Sequence, residues 1–468
     1  MAGNGIEAYS LAERVREGEL TASELADECL NKISVSDQHG LNAFVYVDAG
    51  GARRAAEAID AKRRQGHPLG PLAGVPFGVK ELQQVTGWPD TLASMAFKDR
   101  VAGVTDTMVN RLIAADAVPV GLTASPELGR SSFCSTSLHG TTRNPWDPDL
   151  TPGGSSSGSA VAVAADITSF CTGSDGAGSL RIPASFCGVV GMKPSRGVVP
   201  RGPQYGGSSE TQVYGPIANN VHDVALVLDC VTGIVDGEFG SATCDGQFVR
   251  ALESLPRGLR VAYSPDLGYA AVEKNIIAAT TAKYHEFVNA IDGVKAEVPD
   301  GPLFPDTGKA FRTLSMLDVW AQVRDLSEEK KELLSPSVRQ YSEYVAQTSF
   351  DDYIDALQDR SALTQVVAKV FEHVDLLVTP TTPVTAFAAE GPMPTHIDGQ
   401  AVDHWGSLRL TYPFNLTGHP AISMPITDIG GAPIGMQIVA RRFDDKLLVS
   451  AARKYEASQV QHESAQAR

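Results

Sequence analysis

Short apolar runs alternate with helical patterns between residues 120 and 235 of this chain. Such alternation is typical of α/β architecture, in which helices cover the faces of a sheet. Strand-like runs return at 374–379 (VDLLVT) and 421–426 (AISMPI), so the sheet is expected to continue beyond this region. We therefore predict an α/β fold.

The composition is ordinary for a soluble enzyme and too apolar for a disordered chain. Hydrophobic residues make up 43% and charged residues 20%, enough apolar material for a sizeable core. The formal net charge of −16 argues against binding to nucleic acid or to anionic membrane surfaces. A helix that spans a bilayer needs about 20 apolar residues, and no apolar run of this chain approaches that length. The N-terminus lacks the pattern of a secretory signal. The expected location is the cytoplasm.

Six cysteines are scattered along the chain, without a Cys-x-x-Cys pair and without neighbouring histidines. This pattern indicates free thiols in a reducing compartment and favours neither a disulfide framework nor a zinc site. No metal site is predicted.

Two pairs near the N-terminus have capping-box spacing and predict helix starts: Ser10 with Glu13, and Thr21 with Glu24. Residues 51–64 form an amphipathic, Ala-rich pattern that predicts a third helix.

The stretch from about 240 to 370 differs from its surroundings, because it carries charged helical patterns and no motif. We interpret it as a variable, mostly helical insert on the substrate side. The predicted organisation is a single domain over 1–468, with its core at about 1–235 and 370–468.

Three segments could carry chemistry: 71–82 (PLAGVPFGVKEL), 151–160 (TPGGSSSGSA) and 173–185 (GSDGAGSLRIPAS). Each has an ordinary explanation when it is taken alone. A lysine after a strand is usually a solvated charge, a Gly/Ser run is usually a turn, and a Gly-Ser pair before arginine is usually a helix start.

Together the segments supply the parts of an acyl-transfer site. A serine hydroxyl needs a base within hydrogen-bond reach, and a lysine can be that base when burial keeps it neutral. Lys80, at a predicted strand end, has the apolar neighbours Val79 and Leu82. The small residues of 175–179 could present backbone N–H groups to an oxyanion. Spacing alone does not show that these groups meet.

The same segments resemble the hallmark of the amidase signature family. The family pattern is a G-V-P-x-x-x-K-[DE] strand, a G-G-S-S-G-G-S loop and a G-[ST]-D-x-G-G-S-x-R-x-P-A turn. In that family the first loop serine and the turn serine lie 24 residues apart, which is the separation of Ser155 and Ser179 here. The resemblance covers most of 1–235 and 370–450.

The resemblance implies a large mixed, twisted β-sheet core surrounded by α-helices, and a Ser-Ser-Lys triad. Lys80 would be the base, Ser155 the relay serine on a cis peptide bond, and Ser179 the nucleophile that forms the acyl-enzyme. The oxyanion hole would consist of four backbone N–H groups, those of Gly176, Ala177, Gly178 and Ser179. No metal or organic cofactor is implied. Members of the family are often dimers, so a homodimer is expected.

Some positions depart from the family pattern. Gly176 and Ala177 stand where the family usually has Thr or Ile followed by Gly, and Ser157 replaces a loop glycine. Asn219 and Leu122 replace a frequent Arg and a frequent Lys. These changes leave the catalytic core intact and bear on substrate specificity.

The substrate implied is a small amide, with an aryl or apolar acyl part, while carbamates and some esters stay open. The candidate pocket residues are Phe133, Gly154, Ser156, Tyr205, Trp405 and Phe414, whose aromatic members could equally be core.

Two other motifs suggest different serines. Residues 154–158 satisfy G-x-S-x-G, which would make Ser156 a nucleophile, but such an elbow must follow a strand and prolines precede it here. Ser327 and Lys330 match S-x-x-K, yet Ser327 is better interpreted as a helix N-cap.

Two further interpretations concern charged residues and whole-protein function. Asp175 and Arg181 are expected to form an ion pair that holds the nucleophile turn, and His139 and His419 are expected to be structural.

The alternative functions are the amidase subunit of a tRNA-dependent amidotransferase and a non-catalytic protein on the same scaffold.

Overall fold

The computed structural model describes residues 7–202, 211–298 and 303–466. The helices of these residues are α1 (Ala8–Glu17), α2 (Ala22–Gln38), α3 (Ala49–Arg64), α4 (Thr107–Ala114), α5 (Ser157–Ala164), α6 (Arg181–Cys187), α7 (Val221–Val231), α8 (Phe248–Ala251), α9 (Lys274–Ala290), α10 (Gly308–Ser315), α11 (Leu317–Val323), α12 (Glu328–Glu332), α13 (Pro336–Ala346), α14 (Phe350–His373), α15 (Pro413–Leu416) and α16 (Asp445–Gln466).

The strands of the same residues are β1 (Phe44–Val47), β2 (Pro76–Lys80), β3 (Val118–Thr123), β4 (Ser135–Thr136), β5 (Gly140–Thr141), β6 (Phe170–Asp175), β7 (Val190–Lys193), β8 (Val213–Ala218), β9 (Arg260–Tyr263), β10 (Val294–Lys295), β11 (Leu376–Pro380), β12 (His396–Ile397), β13 (Gln400–Ala401), β14 (Ala421–Ile429) and β15 (Ala432–Ala440).

Eleven of these strands form one mixed sheet in the order β1-β3-β2-β6-β8-β7-β14-β15-β11-β9-β10. Strand β2 pairs in parallel with both β3 and β6, whereas β6, β8, β7, β14, β15 and β11 pair antiparallel in succession. The predicted α/β fold with a large mixed sheet is confirmed.

Both faces of the sheet are covered by helices. Successive side chains of a strand point to opposite faces, and in β11 Leu376 and Val378 join one hydrophobic cluster while Leu377 joins another. The first cluster includes Leu228 of α7, and the second includes Val367 of α14. The strand edges that carry the site are therefore held between two apolar layers.

The start of α1 differs from the sequence prediction. The helix begins at Ala8, and Ser10 lies inside it, so the predicted Ser10–Glu13 cap is wrong. The carboxylate of Asp223 accepts hydrogen bonds from the N–H groups of Ala8 (2.7 Å) and Tyr9 (3.1 Å). A distant side chain thus satisfies the free amides at the start of this helix, which a local cap would otherwise do.

Other local predictions agree with the structure. Thr21 caps α2 in a complete capping box with Glu24. The helix predicted at 51–64 is α3, which begins two residues earlier after its N-cap Asp48. Ser327 is the N-cap of α12 and accepts from the Lys330 N–H, as interpreted from the sequence.

The region 240–370 contributes both to the sheet and to the helical layer. Strand β9 pairs in parallel with β11, and β10 extends that edge. Helices α10, α11, α13 and α14 then pack through Phe311, Val319, Val338 and Leu363 into one hydrophobic cluster. The separation of this region as an insert stays a prediction, and its first part completes the main sheet.

All six cysteines are free thiols. Within 7–202, 211–298 and 303–466, no helix combines the length and the apolar character needed to cross a membrane. The same residues contain no group of three or more His, Cys, Asp or Glu side chains placed to hold a metal ion.

Candidate active site

Lys80 is the last residue of β2 and its side chain is fully buried. Its backbone N–H donates to Thr172 Oγ1 of the neighbouring strand β6 at 3.0 Å. The parallel pairing of β2 with β6 therefore places the lysine beside the end of β6, where the segment that contains Ser179 begins.

The side-chain nitrogen of Lys80 is surrounded by oxygen atoms. Its Nζ lies within hydrogen-bond distance of Ser155 Oγ (2.8 Å), Ser156 Oγ (2.9 Å), Ser174 Oγ (2.9 Å) and the Ser174 carbonyl oxygen (3.3 Å). The structure thus brings Lys80 and Ser155, predicted to act together, into direct contact.

Burial changes the acidity of this lysine. Loss of hydration lowers the pKa of Lys80 to about 7, and the nearby carboxylate of Asp175 offsets part of that effect. A large fraction of the lysine is therefore neutral at neutral pH, which is the state that a base requires.

Ser155 belongs to a tight loop that leads into α5. The Gly154–Ser155 peptide bond is cis, as the resemblance implies. A Cβ on Gly154 would collide with the carbonyl oxygen of Ser131, so only glycine fits at this position of the loop. Ser157, which replaces a family glycine, donates its hydroxyl to the Gly153 carbonyl oxygen at 2.6 Å and is accommodated in this way.

Ser179 lies in the turn between β6 and α6 and is partly exposed. Its carbonyl oxygen accepts a hydrogen bond from the N–H of Ser156 at 3.2 Å. This bond joins the loop that carries Ser155 to the turn that carries Ser179.

The turn is organised by a fully buried ion pair between Asp175 and Arg181. Arg181 Nη2 lies 2.8 Å from Asp175 Oδ1, and Arg181 Nε lies 2.9 Å from Asp175 Oδ2. Although burial alone would raise it, the pKa of Asp175 is well below its usual range because of Arg181. The predicted structural ion pair is confirmed.

Asp175 also fixes the backbone of the turn. Its carboxylate accepts from the N–H groups of Gly178 (2.7 Å) and Leu180 (3.1 Å). The Gly178 N–H, one of the four predicted oxyanion donors, is therefore already engaged. The remaining three predicted donors have no hydrogen-bond partner among the described residues: Gly176, Ala177 and Ser179.

Ser179 opens onto a small cavity of about 30 Å³. Its described lining residues are Gly129, Arg130, Ser131, Ser132, Gly154, Ala177, Ser179, Phe311, Met393, Trp405 and Leu408. The predicted pocket residues Gly154 and Trp405 are thus adjacent to the candidate nucleophile. Phe133 lines a neighbouring cavity of about 250 Å³, which shares Arg130 and Ser131 with the first.

The other predicted pocket residues lie elsewhere. Ser156 is fully buried, bonded to Lys80, and is not among the described residues that line either cavity. Its burial also disfavours the G-x-S-x-G interpretation. Phe414 is fully buried and packs edge-on against Phe304, as a core residue does. Tyr205 lies outside the described residues.

The two histidines interpreted as structural have partners away from the serines. His139 Nε2 lies 2.7 Å from the buried carboxylate of Glu81, and His419 Nδ1 lies 2.8 Å from Thr417 Oγ1. Burial lowers the pKa of His419 to about 3, so this ring is neutral at neutral pH.

Sequence reasoning missed several residues of the site. Ser174 contacts Lys80, as Thr172 does. The two residues are two positions apart in β6 and so share one face of the strand, a pattern that could have indicated Ser174 from the sequence. Arg130, Phe311 and Met393 line the cavity from loops and from α10, and no pattern along the chain indicated them.

Comparisons with known proteins agree with this geometry. A family model described as Amidase matches residues 24–449. The acylamidase of Rhodococcus erythropolis is 30% identical, over 97% of this chain and 95% of that protein. One subunit of the glutamyl-tRNA(Gln) amidotransferase of Chloroflexus aurantiacus is 32% identical, over 94% of this chain and 93% of that relative.

Among solved structures, a bacterial aryl acylamidase of the amidase signature family superposes with a TM-score of 0.91 at 28% identity. The superposition covers 97% of this chain and 96% of that one. The range matched by the family model includes Lys80, Ser155 and Ser179. The chain therefore belongs to the amidase signature family of amide-hydrolysing enzymes.

Proposed function

We propose that this protein hydrolyses the C–N bond of small amides through an acyl-enzyme, with Ser179 as nucleophile, Ser155 as relay and Lys80 as base. The observation that carries this proposal is the 2.8 Å contact between Lys80 Nζ and Ser155 Oγ in a fully buried setting. A neutral amine in such contact with a hydroxyl can take its proton.

The first step of the proposed mechanism is proton transfer and attack. Lys80 Nζ takes a proton from Ser155 Oγ, which takes the proton of Ser179 Oγ as that oxygen bonds to the amide carbon. The carbonyl π electrons move to oxygen, where the free N–H groups of Gly176, Ala177 and Ser179 supply stabilising hydrogen bonds.

The second step breaks the C–N bond. The oxyanion collapses, the nitrogen leaves, and the proton held by Lys80 returns through Ser155 to the departing amine. Water then attacks the ester of Ser179 along the same proton path and releases the carboxylic acid. Both halves use the same three side chains, so each of them is needed for turnover.

The cavity walls support an aryl or apolar acyl group on the substrate. Phe311, Met393, Trp405 and Leu408 line the cavity that contains Ser179, and such surfaces favour apolar groups. The acylamidase and aryl acylamidase relatives are named for activities of this class. Carbamates and esters are included in the proposal, because an acyl-enzyme can form from each.

A panel of anilides, primary amides, carbamates and nitrophenyl esters tests this proposal, together with labelling by a serine-reactive phosphonate. We expect Ser179→Ala to abolish turnover and labelling, Lys80→Ala to come close to abolishing turnover, and Ser155→Ala to lower it by several orders of magnitude. Near-normal turnover by Ser155→Ala would refute the role of Ser155 as relay. Phosphonate attached to another serine would refute the role of Ser179 as nucleophile.

A second candidate function is the glutaminase component of a tRNA-dependent amidotransferase. The 32% identity to the Chloroflexus aurantiacus relative over nearly the whole chain favours it. The two functions differ in substrate and in partner. Ammonia release from glutamine, together with co-purification of partner proteins, would support the second function, whereas anilide turnover by the isolated chain would support the first.

Three other predictions stay untested: a cytoplasmic location, a homodimer, and a single domain with an insert at about 240–370. Sedimentation of the purified chain measures the oligomeric state directly.

A further inference from the structure

Arg130 lies where the two cavities meet, and it lines both of them. It follows a short turn at Glu127–Gly129, and its backbone N–H donates to the Glu127 carbonyl oxygen at 3.1 Å. Its side chain is 17% exposed, so the guanidinium group is largely withdrawn from bulk water. Among the described residues that line these cavities, it is the one lysine or arginine.

The charge of Arg130 is weakly compensated within the described residues. Its Nη2 lies 3.9 Å from Asp318 Oδ2 of α11, which is beyond hydrogen-bond distance. Arg130 Nε and Asp318 Oδ1 are both buried without a hydrogen-bond partner in the described part of the chain. Burial lowers the pKa of Arg130, yet an arginine keeps its charge at neutral pH. An anionic acceptor in the cavity would therefore gain strong hydrogen bonds.

Among the described residues, the other ionisable side chains that line the two cavities, Glu127 and His404, are already engaged. The Glu127 carboxylate accepts from Ser94 Oγ at 2.5 Å and from the Ser335 N–H at 2.9 Å. His404 Nε2 lies 2.5 Å from Tyr341 Oη, and burial lowers the pKa of His404. Arg130 is thus the group of this wall with charge and donors left for a ligand.

We propose that Arg130 binds a carboxylate on the substrate, so that the preferred amides carry a carboxylate close to the scissile bond. This inference rests on the proposed amidase function, since it places the carboxylate in the cavity that contains Ser179. The planar guanidinium group can donate two parallel hydrogen bonds to a carboxylate, which orients the substrate as well as binding it. The carboxylate could belong to the acyl part or to the amine part.

Two matched substrate pairs test this inference and separate the two positions. N-phenylsuccinamate and its neutral isostere N-phenyl-4-methylpentanamide differ in charge on the acyl side, while 4-acetamidobenzoate and 4-methylacetanilide differ on the amine side. We expect the wild-type full-length chain to prefer the charged member of one pair. In Arg130→Met, kcat/KM for that member should fall about 10- to 100-fold, with little change for its neutral partner.

Control variants distinguish substrate binding from a structural role. Arg130→Lys keeps the charge without the planar fork and should retain part of the preference. Asp318→Asn removes the competing carboxylate and should preserve or increase the preference for the charged substrate. If Arg130 and Asp318 formed a purely structural ion pair, Asp318→Asn would instead cause the same loss as Arg130→Met. Arg324→Met removes an exposed arginine that is paired with Asp325, and it should change kcat/KM for neither member of a substrate pair. All rates are compared at alkaline pH, because Arg130 is among the charges that lower the Lys80 pKa.

The outcomes separate this inference from the proposed function. Equal turnover of both members in both pairs, or an equal loss for both members in Arg130→Met, overturns the role of Arg130 alone. Absence of turnover for every anilide, together with no phosphonate on Ser179, overturns the amidase proposal and this inference with it.

Discussion

Lys80 Nζ lies 2.8 Å from Ser155 Oγ, and the lysine side chain has no exposed surface. Burial disfavours the ammonium form, while the nearby carboxylate of Asp175 favours it. The balance sets the pKa of Lys80 to about 7. Catalysis should therefore depend on pH around neutrality, and stability should depend on pH between about 7 and 10.

The first prediction concerns activity. Since the base must be neutral, kcat/KM for a neutral anilide should rise from acid pH and level off above an apparent pKa of about 7. A pH-rate profile measures this limb. Lys193 is a matched control, because it is equally buried and its pKa is also lowered to about 7 by burial. Lys193→Met should keep the rising limb of the profile. Loss of the limb in this variant would show that it reports the titration of Lys193 and not that of Lys80.

The second prediction concerns the free energy of unfolding. The folded-state pKa of Lys80 lies below its unfolded value of about 10.4, so between about pH 7 and 10 the unfolded chain binds the extra proton. As the pH rises through that interval, Lys80 should increase the free energy of unfolding of the wild type by about 1.4 kcal/mol per pH unit. Lys80→Met should lack this increase. Chemical denaturation at several pH values measures the difference. Parallel curves for the two proteins would contradict a neutral buried lysine.

The third prediction concerns the Asp175–Arg181 pair. Arg181→Met leaves a fully buried carboxylate without its cation, which typically costs about 3–5 kcal/mol. The exposed pair of Arg324 and Asp325 provides the control, since Arg324→Met should change stability little. Thermal denaturation of both variants tests this. An equally small effect of both substitutions would mean that the pair does not hold the turn.

The fourth prediction concerns the start of α1. Asp223→Ala removes the acceptor for the Ala8 and Tyr9 N–H groups and should lower the free energy of unfolding by about 1–2 kcal/mol. Ser10→Ala should have almost no effect, because Ser10 lies within the helix. Denaturant unfolding compares the two variants. The reverse order of effects would restore the cap predicted from the sequence.

The site was partly predictable because its motifs are local and chemically specific. The strand that ends at Lys80, the cis Gly154–Ser155 bond and the Asp175–Arg181 pair were each expected from the sequence and are present. Their elements have clear patterns along the chain. The role of Ser179 as nucleophile stays a prediction until labelling tests it.

Other features could not be predicted, because their partners are far apart in the chain. The cap of α1 comes from Asp223, 215 positions after Ala8. The engagement of the Gly178 N–H by Asp175 depends on the path of the turn, which residue types do not specify. Ser174 reaches Lys80 only because β6 pairs with β2.

By itself the sequence determined the fold class, the candidates for the three reactive side chains and the ends of several helices, because periodicity, motifs, caps and glycine positions act over a few residues. Tertiary structure alone decided that Lys80 is desolvated and that Phe311 and Arg130 border the cavity with Ser179. The physical reason is that desolvation and cavity shape depend on which distant elements pack together, and no local pattern along the chain encodes that packing.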